Sequence, residues 1–176
     1  QALTANTTGA NNTAVGYAAL ITNTTQSNNT AVGFQSLYTL NGGTNNAALG
    51  HNSLFNSTTC DNNAAVGKSA MENTTSGSNN VAVGYQALDA NTTADHNTAV
   101  GKDALTTSTT AAENTAIGAK AGDAVTTASD SVFVGSEAGT AVTTGNGHVH
   151  VGYRAGDVTT TGTGTVSGQR SGRVFK

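Results

Sequence analysis

Apolar and polar positions along this chain recur every seventeen residues, a period too long for one helix face or one strand and therefore the mark of a repeated unit. Each unit holds a short β-branched run closed by glycine, as in Asn12-Thr13-Ala14-Val15-Gly16, then an Ala/Leu pair, then a stretch rich in Thr, Asn, Ser and Gly. The glycines fall at Gly16, Gly33, Gly50, Gly67, Gly84, Gly101, Gly118, Gly135 and Gly152 without a slip, and Gly168 closes a degenerate tenth unit one residue early. One residue before each glycine stands a Val, Leu or Ile, and two before it an Ala that becomes Phe133 and His150 in the last units. Four before it is an Asn column, replaced by Ser131 and His148. Four after it a Leu/Met column, from Leu20 to Leu105, gives way to Gly122, Gly139 and Gly156.

Helical repeats run past about thirty residues and leucine-rich repeats need about twenty, so a seventeen-residue unit fits neither. It suits one coil of a parallel β-solenoid, with two short strands and two turns, and the chain is expected to be an all-β roll of about ten such coils. At about 4.8 Å per coil, ten coils make a rod roughly 48 Å long. The chain has no Pro, as a stack whose every coil hydrogen-bonds to the next requires. The corner glycine is expected to supply a backbone angle or a close approach that a side chain forbids. Strand alternation puts the Val column on one face and the Ala and Asn columns on the other. Val is expected to point inward against the Leu/Met column, leaving a flat wall of small residues outside. Its members are Asn12, Ala14, Asn29, Ala31, Asn46, Ala48, Asn63, Ala65, Asn80, Ala82, Asn97, Ala99, Asn114, Ala116 and Phe133. A flat wall almost free of charge reads as a partner surface, with stacked Asn bonding coil to coil.

Composition narrows the functional classes. Charged residues make up only 10%, hydrophobic ones 36% and the net charge is −3, so a thick core of large apolar side chains is not expected. The seven Lys and Arg are scattered, leaving no electrostatic footprint for nucleic acid. No apolar run approaches the roughly 18 residues of a membrane span. The single Cys60 excludes an internal disulfide. The chain starts on Gln1 in mid-unit and is read as a piece of a longer polypeptide.

Units such as Asn79-Asn80-Val81-Ala82-Val83-Gly84-Tyr85-Gln86-Ala87-Leu88 and Asn114-Thr115-Ala116-Ile117-Gly118-Ala119-Lys120-Ala121-Gly122 resemble the head repeats of YadA-type trimeric autotransporter adhesins. They are still more similar to the longer-period variants in bacteriophage tail fibres. The resemblance covers essentially the whole chain. It implies a left-handed parallel β-roll, three chains about one axis, and the Asn-x-Ala-x-Gly strand lining the interface. A homotrimer agrees with the small-residue wall, since one thin coil stack buries little apolar area by itself.

Among candidate chemical sites, Gly147-His148-Val149-His150 is the sharpest. Two histidines two apart on a strand point the same way, into the wall assigned to the trimer axis. Three chains would then present six imidazoles to one borderline ion such as iron, nickel or zinc. Similar His-x-His sites occur on the axis of some phage fibre tips; the alternative is two histidines exposed or packed near the rod's end. His51 and His96 are expected at the surface. Acidic residues form no paired constellation and no nucleophile elbow is present, so no enzyme is expected. Rows of Thr, as at Thr24-Thr25 and Thr126-Thr127, raise an ice-binding alternative, though each pair gives only one outward row. The column after the glycine, with Tyr17, Phe34, Tyr85 and Tyr153, suits either sugar contact or packing between chains.

The expectation is thus a non-catalytic rod of a phage tail fibre on the virion, presenting a receptor-binding end to a host glycan or protein. A bacterial surface adhesin or extracellular filament is the second reading and an ice-binding solenoid the third. Residues 1–156 form the repeat solenoid, and 157–176 are expected to depart from it as a last coil, cap or passage to another domain, carrying the cluster Arg170, Arg173 and Lys176.

Overall fold

The computed structural model describes residues 1–158 and 160–168. Ten three-residue strands follow one another: β1 (Thr13–Val15), β2 (Thr30–Val32), β3 (Ala47–Leu49), β4 (Ala64–Val66), β5 (Val81–Val83), β6 (Thr98–Val100), β7 (Thr115–Ile117), β8 (Val132–Val134), β9 (Val149–Val151) and β10 (Val166–Gly168). They form one parallel sheet in strict chain order, each residue through β9 pairing with its equivalent in the next coil, as Thr13 with Thr30 and Val83 with Val100, whereas Gly168 pairs with Val151 and so stands in the Val column and not at the corner. The fold is the parallel β-solenoid that the period implies, with no helix among the described residues, but each coil carries one strand where two were expected, the Leu wall being built of turns. β10 still pairs in register with β9, so the stack continues through Gly168. The cluster Arg170, Arg173 and Lys176 lies outside the described residues.

Hydrogen bonds join the coils on every side, not only along the strands. On the second wall Leu20 N–H donates to Ser36 C=O at 3.1 Å and Gln35 N–H donates to Tyr17 C=O at 2.8 Å. Near the Thr corner, Thr58 N–H reaches Thr75 C=O at 2.9 Å. Such short coils are closed by left-handed residues. The position two after the glycine takes φ between 52° and 58°, and Leu20 to Leu105 take φ between 49° and 54°. A left-handed non-glycine residue costs roughly 1 kcal/mol or more. Burial of the Leu side chains and the coil-to-coil bonds offset that strain. The position before the Asn column is also left-handed, and in five early units it is Asn, which tolerates this geometry well.

The corner glycines do what was expected of them on both counts. Their φ lies between 122° and 146°, and a Cβ on Gly84 would overlap the backbone carbonyl of Gly101 in the next coil. The coils therefore stack glycine on glycine at a distance no side chain allows.

The assignment of faces is reversed. Ala31, Ala48, Ala65, Ala82, Ala99, Ala116 and Phe133 are buried inside the coil together with Asn29, Asn46, Asn63, Asn80, Asn97 and Asn114. Asn12 and Ala14, in the first coil, are half-buried on the same inward side. The Val column points out instead, with Val15 at 58% exposure, Leu49 at 50% and Ile117 at 42%. The cause is the narrow interior. Its two walls approach so closely that Ala facing Leu20, Leu37, Leu54, Met71, Leu88 or Leu105 fills the space, and no second branched column fits between them.

Candidate functional site

The inward Asn column is a closed hydrogen-bond ladder. Asn80 is typical: its N–H donates to Asn63 Oδ1 at 2.9 Å, its own Oδ1 accepts from Asn97 N–H at 2.8 Å, and its Nδ2 donates to Ala94 C=O at 2.9 Å. The same pattern runs from Asn12 to Asn114, then passes through Ser131 to His148 N–H at 3.1 Å. A buried amide is tolerable because donor and acceptor are both engaged. The expected Asn ladder therefore exists, but within one chain, where it cannot serve as a surface for another.

The histidine pair is likewise internal. His148 and His150 are fully buried, their rings stacked with centroids 5.5 Å apart, and His150 leans on Phe133 at 5.8 Å. Each Nδ1 meets a hydroxyl of the last coil at 2.6 Å, Thr165 Oγ1 for His148 and Ser167 Oγ for His150, while His148 Nε2 has no partner. Burial, helped by the neighbouring His148, pushes the His150 imidazole below its ordinary pKa. The proposed six-imidazole axial site does not fit this geometry, because both rings turn into their own coil rather than toward an outer axis. Among the described residues no group of three or more His, Cys, Asp or Glu side chains converges to hold a metal.

Outside, the sheet presents the surface of most interest. Two residues of every strand face away from the core, so Val15, Val66, Val83, Ile117 and Val151 line up from coil to coil beside Thr13, Val81 and Val149. The result is a flat, uncharged stripe running the length of the stack, the kind of contiguous apolar patch that a solitary soluble protein rarely exposes. Period-two alternation alone allowed either face to be the inner one. The covariation of Phe133 with Gly139 and of His150 with Gly156 was the signal that could have decided it, since paired volume changes belong to facing positions.

The column after the glycine forms a ladder of its own. Tyr17 stacks on Phe34 at 5.4 Å and Phe34 on His51 at 5.0 Å, while Lys68 and Lys102 both lie 5.9 Å from the Tyr85 ring. The inner rings stack within the chain, yet Tyr17 at 64% and Tyr153 at 52% exposure keep aromatic surface open to solvent. His51 and His96 are exposed, as expected. The first Thr of each pair is spent on the stack, with Thr58 Oγ1 donating to Thr75 C=O at 3.1 Å and Thr126 Oγ1 to Thr143 C=O at 3.0 Å. Only the second position of each pair forms an outward row, in which Gly42 and Ser76 interrupt the Thr. Cys60 is buried and burial raises its thiol pKa, so it carries little thiolate. No helix of the described residues is long and apolar enough to cross a membrane. No protein-family model, curated protein or solved structure matches the chain.

Proposed function

We propose that this chain is a structural and adhesive rod, a segment of a trimeric phage tail fibre that holds a receptor-binding end away from its base and performs no catalysis. The observation that carries the reading is the outward Val, Leu and Ile column that recurs from coil to coil along the sheet. A rod whose interior is already filled has no internal use for a column of exposed Val, Leu and Ile, and three copies sharing these stripes would remove it from water. The uniform seventeen-residue coil and full coil-to-coil hydrogen bonding supply the stiffness such a spacer requires. The receptor is a host glycan or protein contacted by another part of the fibre. A bacterial surface adhesin or filament would use the same trimer. The ice-binding reading keeps one outward Thr row in its favour, and thermal hysteresis distinguishes it.

The test is the mass of the assembled particle in solution, by sedimentation equilibrium or native mass spectrometry. Three times the chain mass is expected for the native sequence, and Val66→Lys with Val83→Lys is expected to give the single chain with its β-structure retained. A native species at one chain's mass overturns the trimeric rod.

A further inference from the structure

The chain contains two Asn-Gly pairs, Asn41-Gly42 and Asn146-Gly147, and the fold treats them differently. Asn41 and Gly42 are both exposed, and Asn41 takes the place of Thr in the corner column. Thr24, one coil earlier, therefore aims its hydroxyl at the Asn41 side chain rather than a main-chain carbonyl, donating to Oδ1 at 3.0 Å. The Asn41 backbone is held on both sides, its N–H by Thr58 C=O at 3.2 Å and its C=O by Gln26 Nε2 at 3.0 Å. The Gly42 N–H, by contrast, meets no acceptor among the described residues. At the second pair the side-chain oxygen carries a donor as well, but there the attacking nitrogen is also engaged, so the two pairs differ at the glycine N–H. Ser129 N–H donates to Asn146 Oδ1 at 2.9 Å, and Gly147 N–H donates to Ser129 C=O at 3.1 Å.

We infer that Asn41 is a self-modification site, at which the Gly42 nitrogen attacks the Asn41 side-chain amide while Asn146 is protected. The Gly42 nitrogen gives up its proton to solvent and bonds to Cγ of Asn41. Charge builds on Oδ1, where the Thr24 hydroxyl already donates, so the hydrogen bond strengthens as the tetrahedral centre forms. The Cγ–Nδ2 bond then breaks, ammonia leaves and a five-membered imide remains. Water opens the imide at either carbonyl, giving aspartate or the β-linked isoaspartate. Nothing is oxidised or reduced, and water is the only co-reactant. Glycine matters because no side chain shields its nitrogen.

The consequence is specific to a solenoid. Isoaspartate inserts one extra backbone carbon into a coil whose length is matched to its neighbours residue by residue, as β2 and β3 show. The bonds from Asn41 to Thr58 and from Gln26 to Asn41 depend on that match. Conversion at Asn41 thus loosens the corner between the second and third coils and adds a negative charge there.

The experiment incubates the full folded chain in mildly alkaline buffer and follows both Asn-Gly peptides by mass mapping, with an isoaspartate-specific methylation as second readout. The Asn41 peptide is expected to convert about tenfold faster than the Asn146 peptide, the ratio that one well-placed hydrogen bond's worth of barrier supplies. In denaturant the two are expected to convert at equal rates, since the difference belongs to the fold. Thr24→Val is expected to slow conversion at Asn41 and leave Asn146 unchanged. Equal rates in the folded chain, or faster loss at Asn146, overturn the inference; an Asn41 rate untouched by Thr24→Val overturns the role given to that hydroxyl.

Discussion

The coils around Gly33 to Gly101 and those around Gly135 and Gly152 follow one backbone path with opposite fillings. In the first group Ala31, Ala48, Ala65, Ala82 and Ala99 on the strand face Leu or Met across the interior. In the second, Phe133 and His150 occupy the strand column while Gly139 and Gly156 stand opposite. A Cβ on Gly139 would run into the Phe133 ring, and one on Gly156 into the His150 ring. Register does not change at the junction: Ala116 pairs with Phe133 and Phe133 with His150. Either wall can supply the filling, and neighbouring coils share it: in the coil between the two groups Ala116 and Gly122 are both small, and the Phe133 ring lies against Gly122 as well as Gly139. Glycine also relieves the left-handed strain that Leu accepts at the same place, since Gly139 and Gly156 have φ of 70° and 72°.

The sharpest way to break this comparison is to exchange the fillings. Phe133→Ala removes the largest buried side chain and is expected to destabilise by about 3–5 kcal/mol, because the backbone ladders on either side prevent collapse of the cavity. Gly139→Leu alone is expected to destabilise through collision with the ring. Together they recreate the Ala/Leu pair of the earlier coils, and the double variant is expected to recover more than half of the summed losses in urea unfolding. Losses that simply add would mean that the two positions do not trade volume.

The period, the parallel stack and the glycine corners were legible in the sequence because each is a main-chain requirement repeated nine times at one spacing. The inner face was not. Branched apolar residues ordinarily go in and Asn ordinarily stays out, but here the space between walls admits only small strand residues, and Asn is the side chain whose amide can accept from one coil and donate to another. The misplacement of the histidines followed from that single inversion, since His148 and His150 sit in the Asn and Ala columns. Where Val faces solvent, pattern alone could not say whether the partner was the chain's own core or another copy.

A smaller effect separates satisfied buried polar side chains from unsatisfied ones. Seven residues after the glycine, Leu40, Val125 and Val142 are buried, yet the same column holds Ser57, Thr74 and Ser108, whose hydroxyls are buried without partners. Asn91 in the same column shows what a buried polar side chain needs there, donating to Ala94 C=O at 3.1 Å and accepting from Ala94 N–H at 3.2 Å, and Thr74 lacks it. Thr74→Val keeps the shape and removes the desolvated hydroxyl, so a gain of about 1 kcal/mol is expected. A loss in chemical denaturation would show that the hydroxyl finds a bond in solution. The control is Ser36→Ala, which should lose stability because Ser36 Oγ bonds Ala48 C=O at 3.1 Å and Ser53 Oγ at 3.0 Å.

The weakest expected effect, and the one most informative about position, is pH. Burial and the adjacent Glu72 raise the Asp89 carboxyl to about 6, in the middle of the rod. A carboxyl raised above its unfolded value of about 3.9 binds more protons folded than unfolded, so its stabilisation is complete below that value and is lost as pH rises through about 6. His150 is depressed from about 6.5, so its contribution is present above that value and is lost as pH falls toward the folded pKa. Acidification from neutrality should therefore tighten the coils around Asp89 and loosen those around His150. Hydrogen exchange resolved by peptide, corrected for intrinsic rates, should show protection rising in the centre and falling toward β10. Asp89→Asn should flatten the central response, and His150→Ala with Gly156→Leu, which restores the regular filling, should flatten the terminal one. A response uniform along the rod would mean that neither group governs its own coil, because opposite shifts at separated sites cannot produce one common slope.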